Sequence, residues 1–337
     1  MAKADGRSDA GSAERWDAIV VGGGPAGLSA ALNIGRACRS VLVFDCPVPG
    51  RSEYAQVNHN YLGFPDGIRA QELRTHGRRQ AERYGVRFVE GDAVAVRRVA
   101  DGFLVSDAGG NGFVGRGLIL ATGVRDRWPE FPGYEAFVGR SLHWCLVCDG
   151  YEMRGKRVVV AGNNDHAAET AIQLLRFTPQ VTLLTNEGSL GLPPEAADRV
   201  QRRGVGLVVD RIVGARAAAP GMLEALELER CGVLAVEHLF SQQGAEPNTA
   251  LARSLGVELS SEGYIKADTE GRTSEPGVYA AGDVTRHFSH QIASAGHEGA
   301  TAAFALNYDL HLADEADDRA VFAVAAVGNE VEMGSRP

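Results

Sequence analysis

Cysteine is scarce in this chain: 337 residues hold five, at positions 38, 46, 145, 148 and 231. A sparse, odd set does not build the disulfide framework of a small secreted domain. No apolar run reaches the roughly 18 residues that a membrane-spanning helix needs. The opening MAKADGRSDAGSAER lacks the apolar stretch of a secretory signal. Basic tracks are missing too. Lys and Arg number 34 against 43 Asp and Glu, a net charge of -9, so the field repels a phosphate backbone. The expectation is a soluble, cytoplasmic protein with no membrane span and no nucleic-acid partner.

At roughly 100–200 residues per domain, the length suggests two domains. Residues 1–15 read as a disordered lead. WDAIVVGGGPAGLSAALNIGRA then runs as strand, glycine turn and helix. Asp17 to Val21 is a short apolar strand, and from Leu28 the apolar spacing becomes helical. SVLVFD is the next strand and ends in Asp45, which completes a βαβ unit. KRVVVAGNNDHAAETAIQLLRF starts the same pattern again from Lys156, followed by the strand QVTLLTN. Late in the chain, TSEPGVYAAGDVTRHFSHQIASAGHEGATAAFALNYDL reads as strand, turn and long helix. After about Leu312, ADEADD reads as an acidic linker to a weakly placed end. The expected fold is α/β with two Rossmann-like units.

Gly22, Gly24 and Gly27 satisfy G-x-G-x-x-G between the first strand and its helix. The first glycine makes the tight turn, and the second lets the backbone approach a pyrophosphate. The third allows close helix–strand packing, and the helix N-terminus faces the negative charge. Asp45 follows roughly 20 residues on, where a carboxylate accepts bonds from a ribose. The motif alone does not separate NAD from FAD. GVYAAGDV adds Gly282 and Asp283 after a small-residue strand, where an aspartate can hold the ribityl or phosphate part of a flavin. ILATGV, residues 119–124, lies between the two.

The second loop, VVVAGNNDHAAE, departs from the pattern. Gly162 fills the first position and Ala167 the third, but Asn164 stands at the second. Its Cβ and amide obstruct the approach of a pyrophosphate, although Asn tolerates positive φ and the turn can survive. No Lys or Arg follows in VTLLTNEGSLGL to grip a 2′-phosphate. Glu187 would repel one, while an acid there could accept a ribose hydroxyl of NADH. NADPH is disfavoured twice, and NADH once.

HWCLVCDGYE places Cys145 and Cys148 three apart. Zinc takes four ligands. No second C-x-x-C exists, and His143 and His166 do not supply H-x-x-x-H spacing. Two unpaired buried cysteines are one reading. A redox pair is the other. At a helix start two such cysteines close a small loop, and the helix amides favour their thiolates. One thiolate then attacks a disulfide and the other resolves it.

In motif order and spacing, roughly Trp16 to Leu310 resembles the low-molecular-weight thioredoxin reductases, among the two-dinucleotide-domain flavoproteins. The resemblance implies an FAD-binding domain of residues 16–121 and 243–311. It implies a central NAD(P)-binding-like domain over 122–242 that carries the C-x-x-C, and a tail over 312–337. Gly22, Gly24, Gly27, Asp45, Asn60, Ala121, Thr122, Gly123, Gly282, Asp283, Gln291 and Ile292 match family positions that hold FAD. His290 departs from the family's usual Arg. CLVCDG matches the family's C-x-x-C-D-G. By resemblance, Cys148 lies beside the flavin ring, Cys145 attacks the partner disulfide, and Asp149 is the general acid/base.

The altered second loop is similar to that of a pyridine-nucleotide-independent branch. Some of its members use ferredoxin. The diflavin-linked disulfide oxidoreductases, or deeply rooted thioredoxin reductases, hold a second FAD instead. The implied partner is a thioredoxin-like protein or a small dithiol or disulfide, the implied assembly a homodimer, and no metal is implied. Flavin-dependent small-molecule dithiol oxidases also look similar around GYE but commonly carry His where Asp149 stands, which favours the reductase side. A non-catalytic flavin-binding interaction protein is the third reading.

Other residues have plainer expectations. Trp128, Trp144 and Tyr151 could stack on a flavin but read better as packing. His287, His290 and His297 read as solvated or capping rather than as a proton relay. His166 and Glu169 read as a surface pair. Cys38, Cys46 and Cys231 are expected to pack.

Overall fold

The computed structural model describes residues 13–46, 50–286 and 288–333, with side chains described to residue 317. Most of the expected disordered lead, and His287, therefore lie outside the described residues. The chain divides into two compact units. One comprises Met1–Val48, Arg74–Gly123 and Pro247–Pro337, and the other Pro49–Leu73 and Val124–Glu246.

In the first unit β1 (Glu14–Val21) leads through a glycine turn into α1 (Pro25–Arg36) and on to β2 (Val41–Asp45). Glu14 and Arg15, placed in the lead by the sequence reading, already pair in β1. β1 and β2 are near-continuous apolar runs because both faces of a parallel strand are covered. Pro25 opens α1 at a position where its missing N–H costs nothing. Ala26, Ala30, Ala31 and Ile34 form the buried face of that helix.

After α2 (Ala70–Glu82) come β3 (Arg87–Glu90), β4 (Ala93–Val99), β5 (Gly102–Asp107) and β6 (Gly112–Leu120). The strands order as β3-β2-β1-β6-β5-β4. β1 is parallel to both neighbours, with Val20 opposite Val43 of β2 and Ile119 of β6.

The second unit holds β7 (Leu142–His143), α3 (Leu146–Asp149), β8 (Val158–Ala161), α4 (Asp165–Leu174) and β9 (Val181–Leu184). α5 (Pro194–Arg202), β10 (Gly206–Val208) and β11 (His238–Ser241) follow. Its parallel sheet runs β7-β11-β8-β9-β10. Strands Ile212–Ala219, Met222–Leu228 and Gly232–Ala235 form a separate antiparallel sheet.

The chain returns to the first unit with β12 (Val278–Ala280), parallel to β6, and α6 (Ile292–Met333). α6 lies so close to α1 that a Cβ on Gly299 would sit 2.0 Å from the Ala26 carbonyl oxygen. The expected acidic linker is instead part of α6. Asp314 takes hydrogen bonds from Arg39 at 2.6 Å and Arg116 at 2.5 Å, which neutralise the acidic turn and pin it to the sheet side.

Candidate redox centre and the two glycine loops

The first loop is built for a close-approaching ligand. Gly22 has φ +115°, and a Cβ there would lie 2.2 Å from the Ala121 carbonyl oxygen. A Cβ on Gly27 would lie 1.8 Å from the Gly22 carbonyl oxygen, so this glycine is fixed by packing. A Cβ on Gly24 would meet nothing within 4 Å. No side chain caps α1 at Gly24. Gly24 therefore offers the first amides of that helix no side-chain acceptor, and the space beside its Cα is open. That cradle fits the pyrophosphate of a dinucleotide.

The neighbouring expected residues gather at the C-terminal ends of β1, β2, β6 and β12, where open α/β sheets bind ligands. Ala121 donates to the Val21 carbonyl at 2.9 Å. Thr122 donates to the Asn248 carbonyl at 2.7 Å and takes a bond back from the Asn248 amide at 2.9 Å. Gly123 and Gly282 both have positive φ, at +64° and +83°. Glu298 holds the second of these turns. It accepts from the Gly282 amide at 2.8 Å and the Thr285 hydroxyl at 3.1 Å. Asp283 starts the short 3-10 turn after it, and Gln291 and Ile292 begin α6.

Asp45 is buried and ion-paired with Arg74 at 2.6 Å and Arg78 at 3.6 Å, both from α2. Arg74 also donates to the Gly23 carbonyl at 3.2 Å. These arginines were not visible in the motif, because they arrive from a helix some 30 residues on. Asn60 is exposed, in a segment that belongs to the second unit.

The second loop is closed by its own side chains. Asn164 is the N-cap of α4. Its Oδ1 accepts from the Ala167 amide at 2.9 Å, and its Nδ2 donates to the Gln242 carbonyl at 3.0 Å. Asn163 spans to the segment after β9. Its amide donates to Glu187 at 2.9 Å, and its Oδ1 accepts from the Gly191 amide at 2.7 Å. A helix amide open in the first loop is here satisfied internally, as an N-cap asparagine does.

Cys145 and Cys148 form a disulfide with Cα atoms 5.3 Å apart. Cys145 is the N-cap of α3, and its sulfur accepts the Cys148 amide at 3.1 Å. Val147, between the two cysteines, is 77% exposed, so the turn is accessible from that side. Asp149 at the end of α3 is only 6% exposed. The Gln56 side-chain amide donates to both its oxygens, at 3.1 and 3.2 Å. His143 Nδ1 lies 3.5 Å from Asp149 Oδ1, and His143 Nε2 lies 3.1 Å from Nδ1 of His238. Gln56 and His238 escaped the sequence reading. The only local signal was a second histidine opening the strand HLFS.

Trp144, Trp128 and Tyr54 meet edge to face at 5.5–5.8 Å and pack on the apolar core of this unit. Tyr151 is exposed, with Arg154 4.5 Å over its ring. Glu169 pairs with Arg199 at the surface. His297 is exposed, and His290 bonds the Arg286 carbonyl at 2.7 Å. Two of the lone cysteines depart from expectation. Cys38 and Cys231 are exposed, not packed. Each sits in a turn, Cys38 at φ +59° beyond α1 and Cys231 at a hairpin tip. Among the described residues no group of three or more His, Cys, Asp or Glu is arranged to hold a metal. Nor is any described helix long and apolar enough to cross a membrane.

Two Rossmann-type sheets, one open glycine cradle and a disulfide followed by a buried carboxyl define a flavin-dependent disulfide oxidoreductase. The pyridine nucleotide-disulphide oxidoreductase family matches the chain over residues 16–302. A thioredoxin reductase of Streptomyces clavuligerus is 33% identical over 311 residues, covering 90% of this chain and 96% of that protein. The crystal structure of HlmI superposes with a TM-score of 0.83 at 31% identity, covering 93% of this chain and 97% of that one. A thioredoxin reductase structure from Streptococcus pyogenes gives 0.82 at 28% identity, covering 89% and 99%. The chain belongs to the pyridine nucleotide-disulphide oxidoreductase family, as a thioredoxin reductase-like, FAD-dependent enzyme.

Proposed function

We propose that this chain is a thiol-disulfide oxidoreductase of thioredoxin reductase type whose electron donor is not NADPH. It belongs by this reading to the pyridine-nucleotide-independent branch, with a second flavin or a ferredoxin as the donor. FAD supplies two-electron transfer when bound, and Gly22, Gly24, Gly27 and the residues around them would hold it. The rest is the work of the chain's own side chains. Opening the Cys145–Cys148 disulfide takes two electrons and two protons and leaves two thiols. Cys145, as thiolate, attacks the disulfide of a thioredoxin-like protein or a small molecule, and Cys148 resolves the mixed disulfide. Asp149 gives and takes the proton of the departing sulfur.

The observation that carries the donor assignment is the bond from the Ala167 amide to Asn164. A pyrophosphate at this helix end would have to displace it. Glu187, held by Asn163, adds a negative charge on the side where a 2′-phosphate needs positive charge. Exposed free Cys38 and Cys231 fit a reducing, cytoplasmic compartment. α6 exposes Phe304, Tyr308 and Leu312 at four-residue spacing, an apolar stripe that supports a homodimer.

The FAD-to-protein ratio of the purified protein separates the donors. Two FAD per chain select the second flavin, and one leaves ferredoxin or a dithiol as the donor. Rapid oxygen consumption with a small dithiol would instead make the chain a dithiol oxidase. Failure of wild-type protein to exchange with any disulfide would overturn the catalytic reading altogether.

A further inference from the structure

We propose that His143 and His238 form a buried proton path to Asp149, acting as positioning residues for its acid/base work. The inference rests on the disulfide-exchange reading above.

Asp149 is nearly sealed. On one side Gln56 donates to both carboxyl oxygens, and an amide cannot pass a proton on. On another lies His143, itself buried. Its Nδ1 sits 3.5 Å from Asp149 Oδ1, just beyond a good hydrogen bond, and has no other partner. A buried donor or acceptor without a partner costs free energy. Here the unpaired atom faces the carboxyl assigned to proton transfer with the departing sulfur. Catalytic hydrogen bonds commonly tighten only when the reacting complex forms.

The line continues outward. His143 Nε2 is 3.1 Å from Nδ1 of His238. The parallel register sets this up. His143 on β7 pairs with Phe240 on β11, and His238 lies two residues before it on the same sheet face. His238 is 9% exposed. Beside it, Glu237 and Lys156 are partly exposed and paired at 3.2 Å. The charged and titratable groups facing His238 are thus His143, Lys156, Glu237 and Asp149. Burial, then the neighbouring His143, pushes His238 down to about 4. At neutral pH it is an uncharged imidazole with one donor and one acceptor nitrogen. Such a ring takes a proton on one side and releases one from the other.

With Cys145 as thiolate and Cys148 as thiol, reducing a partner disulfide to two thiols draws one further proton, which Asp149 gives. Asp149 must regain it before the next turnover, and the histidine line would carry it.

The test uses the FAD-loaded protein. Stopped-flow exchange of the reduced Cys145–Cys148 pair with hydroxyethyl disulfide is followed across pH 5–9. Alkylation of the same thiols by iodoacetamide is followed in parallel, as a readout independent of turnover. His143→Gln and His238→Gln keep the size and hydrogen bonding but cannot relay a proton. Both are expected to slow exchange roughly tenfold or more, within the range of general acid/base effects. Both should flatten its pH profile, and in the cavity variants His143→Gly and His238→Gly added free imidazole should restore much of the rate. Flavin absorbance and thermal melting verify the fold. A Gln variant that matches wild type in rate and pH profile would show a merely structural pair and overturn the proposal. So would slowing in the Gly variants that imidazole does not rescue. On wild-type protein alone, absence of a solvent deuterium isotope effect on exchange would overturn it as well. Loss of all exchange in the wild type would instead sink the underlying function.

Discussion

The side-chain oxygen of Asn164 accepts the backbone amide of Ala167 at 2.9 Å. The corresponding residue of the first loop, Gly24, offers no side chain and opens to free space. One fold unit is thus used twice, with its anion-binding helix end open in one copy and closed in the other.

Replacing Asn164 tests the cap directly. Asn164→Ala should destabilise the protein by about 1 kcal/mol, and Asn164→Gly by only a few tenths. Urea denaturation with constant m reads both. Equal, negligible losses would mean that the cap contributes nothing.

The reciprocal change transfers the cap to the first loop. Gly24→Asn meets no steric obstacle, since a Cβ there has nothing within 4 Å. It should leave a folded protein that purifies with much less FAD. Gly27→Ala behaves differently. A Cβ there falls 1.8 Å from a backbone oxygen, so folding itself should suffer. Soluble yield and FAD absorbance, measured together, distinguish the two. Full FAD content in Gly24→Asn would contradict the assigned role of that glycine.

Asp149→Asn removes a proton carrier and keeps the size. Exchange should fall by roughly 10²–10⁴-fold, the usual range for a general acid/base. Bound FAD should be unchanged. Unaltered exchange would remove Asp149 from the chemistry.

His238 gives a pH signature in stability. Its ordinary value is 6.5, and in the fold burial lowers it to about 4. Between these limits the unfolded chain binds the proton and the folded chain does not. Stability is therefore full above about 6.5 and falls as pH drops toward about 4. Denaturation midpoints of wild type and His238→Gln should converge at low pH relative to their separation at pH 7.5. Parallel curves would count against a neutral buried His238.

How much of this was legible in the sequence follows the range of the interactions. Gly22, Gly24 and Gly27 announce themselves because a local turn sets their spacing. The defect at Asn164 is visible for the same reason, as a residue type that its position should refuse. The partners of the redox site are not local. Gln56 and His238 reach Asp149 and His143 across 93 and 95 residues of chain. Only the parallel pairing of β7 with β11 brings the second of these together. Asp45 was expected as a ribose acceptor from its place at the end of β2, but its pairing with Arg74 and Arg78 depends on where α2 lies. The acidic run near Asp314 was misread because composition alone suggests a linker. Two arginines, one after α1 and one in β6, make it a helix instead.

The donor assignment is the central claim, and anaerobic stopped-flow mixing tests it most directly. The FAD-loaded protein is mixed with excess NADPH, and in a second run with NADH, while flavin absorbance is recorded. The account predicts no saturable bleaching of the flavin by NADPH over minutes, with full bleaching on subsequent dithionite. Saturable bleaching within seconds would contradict it.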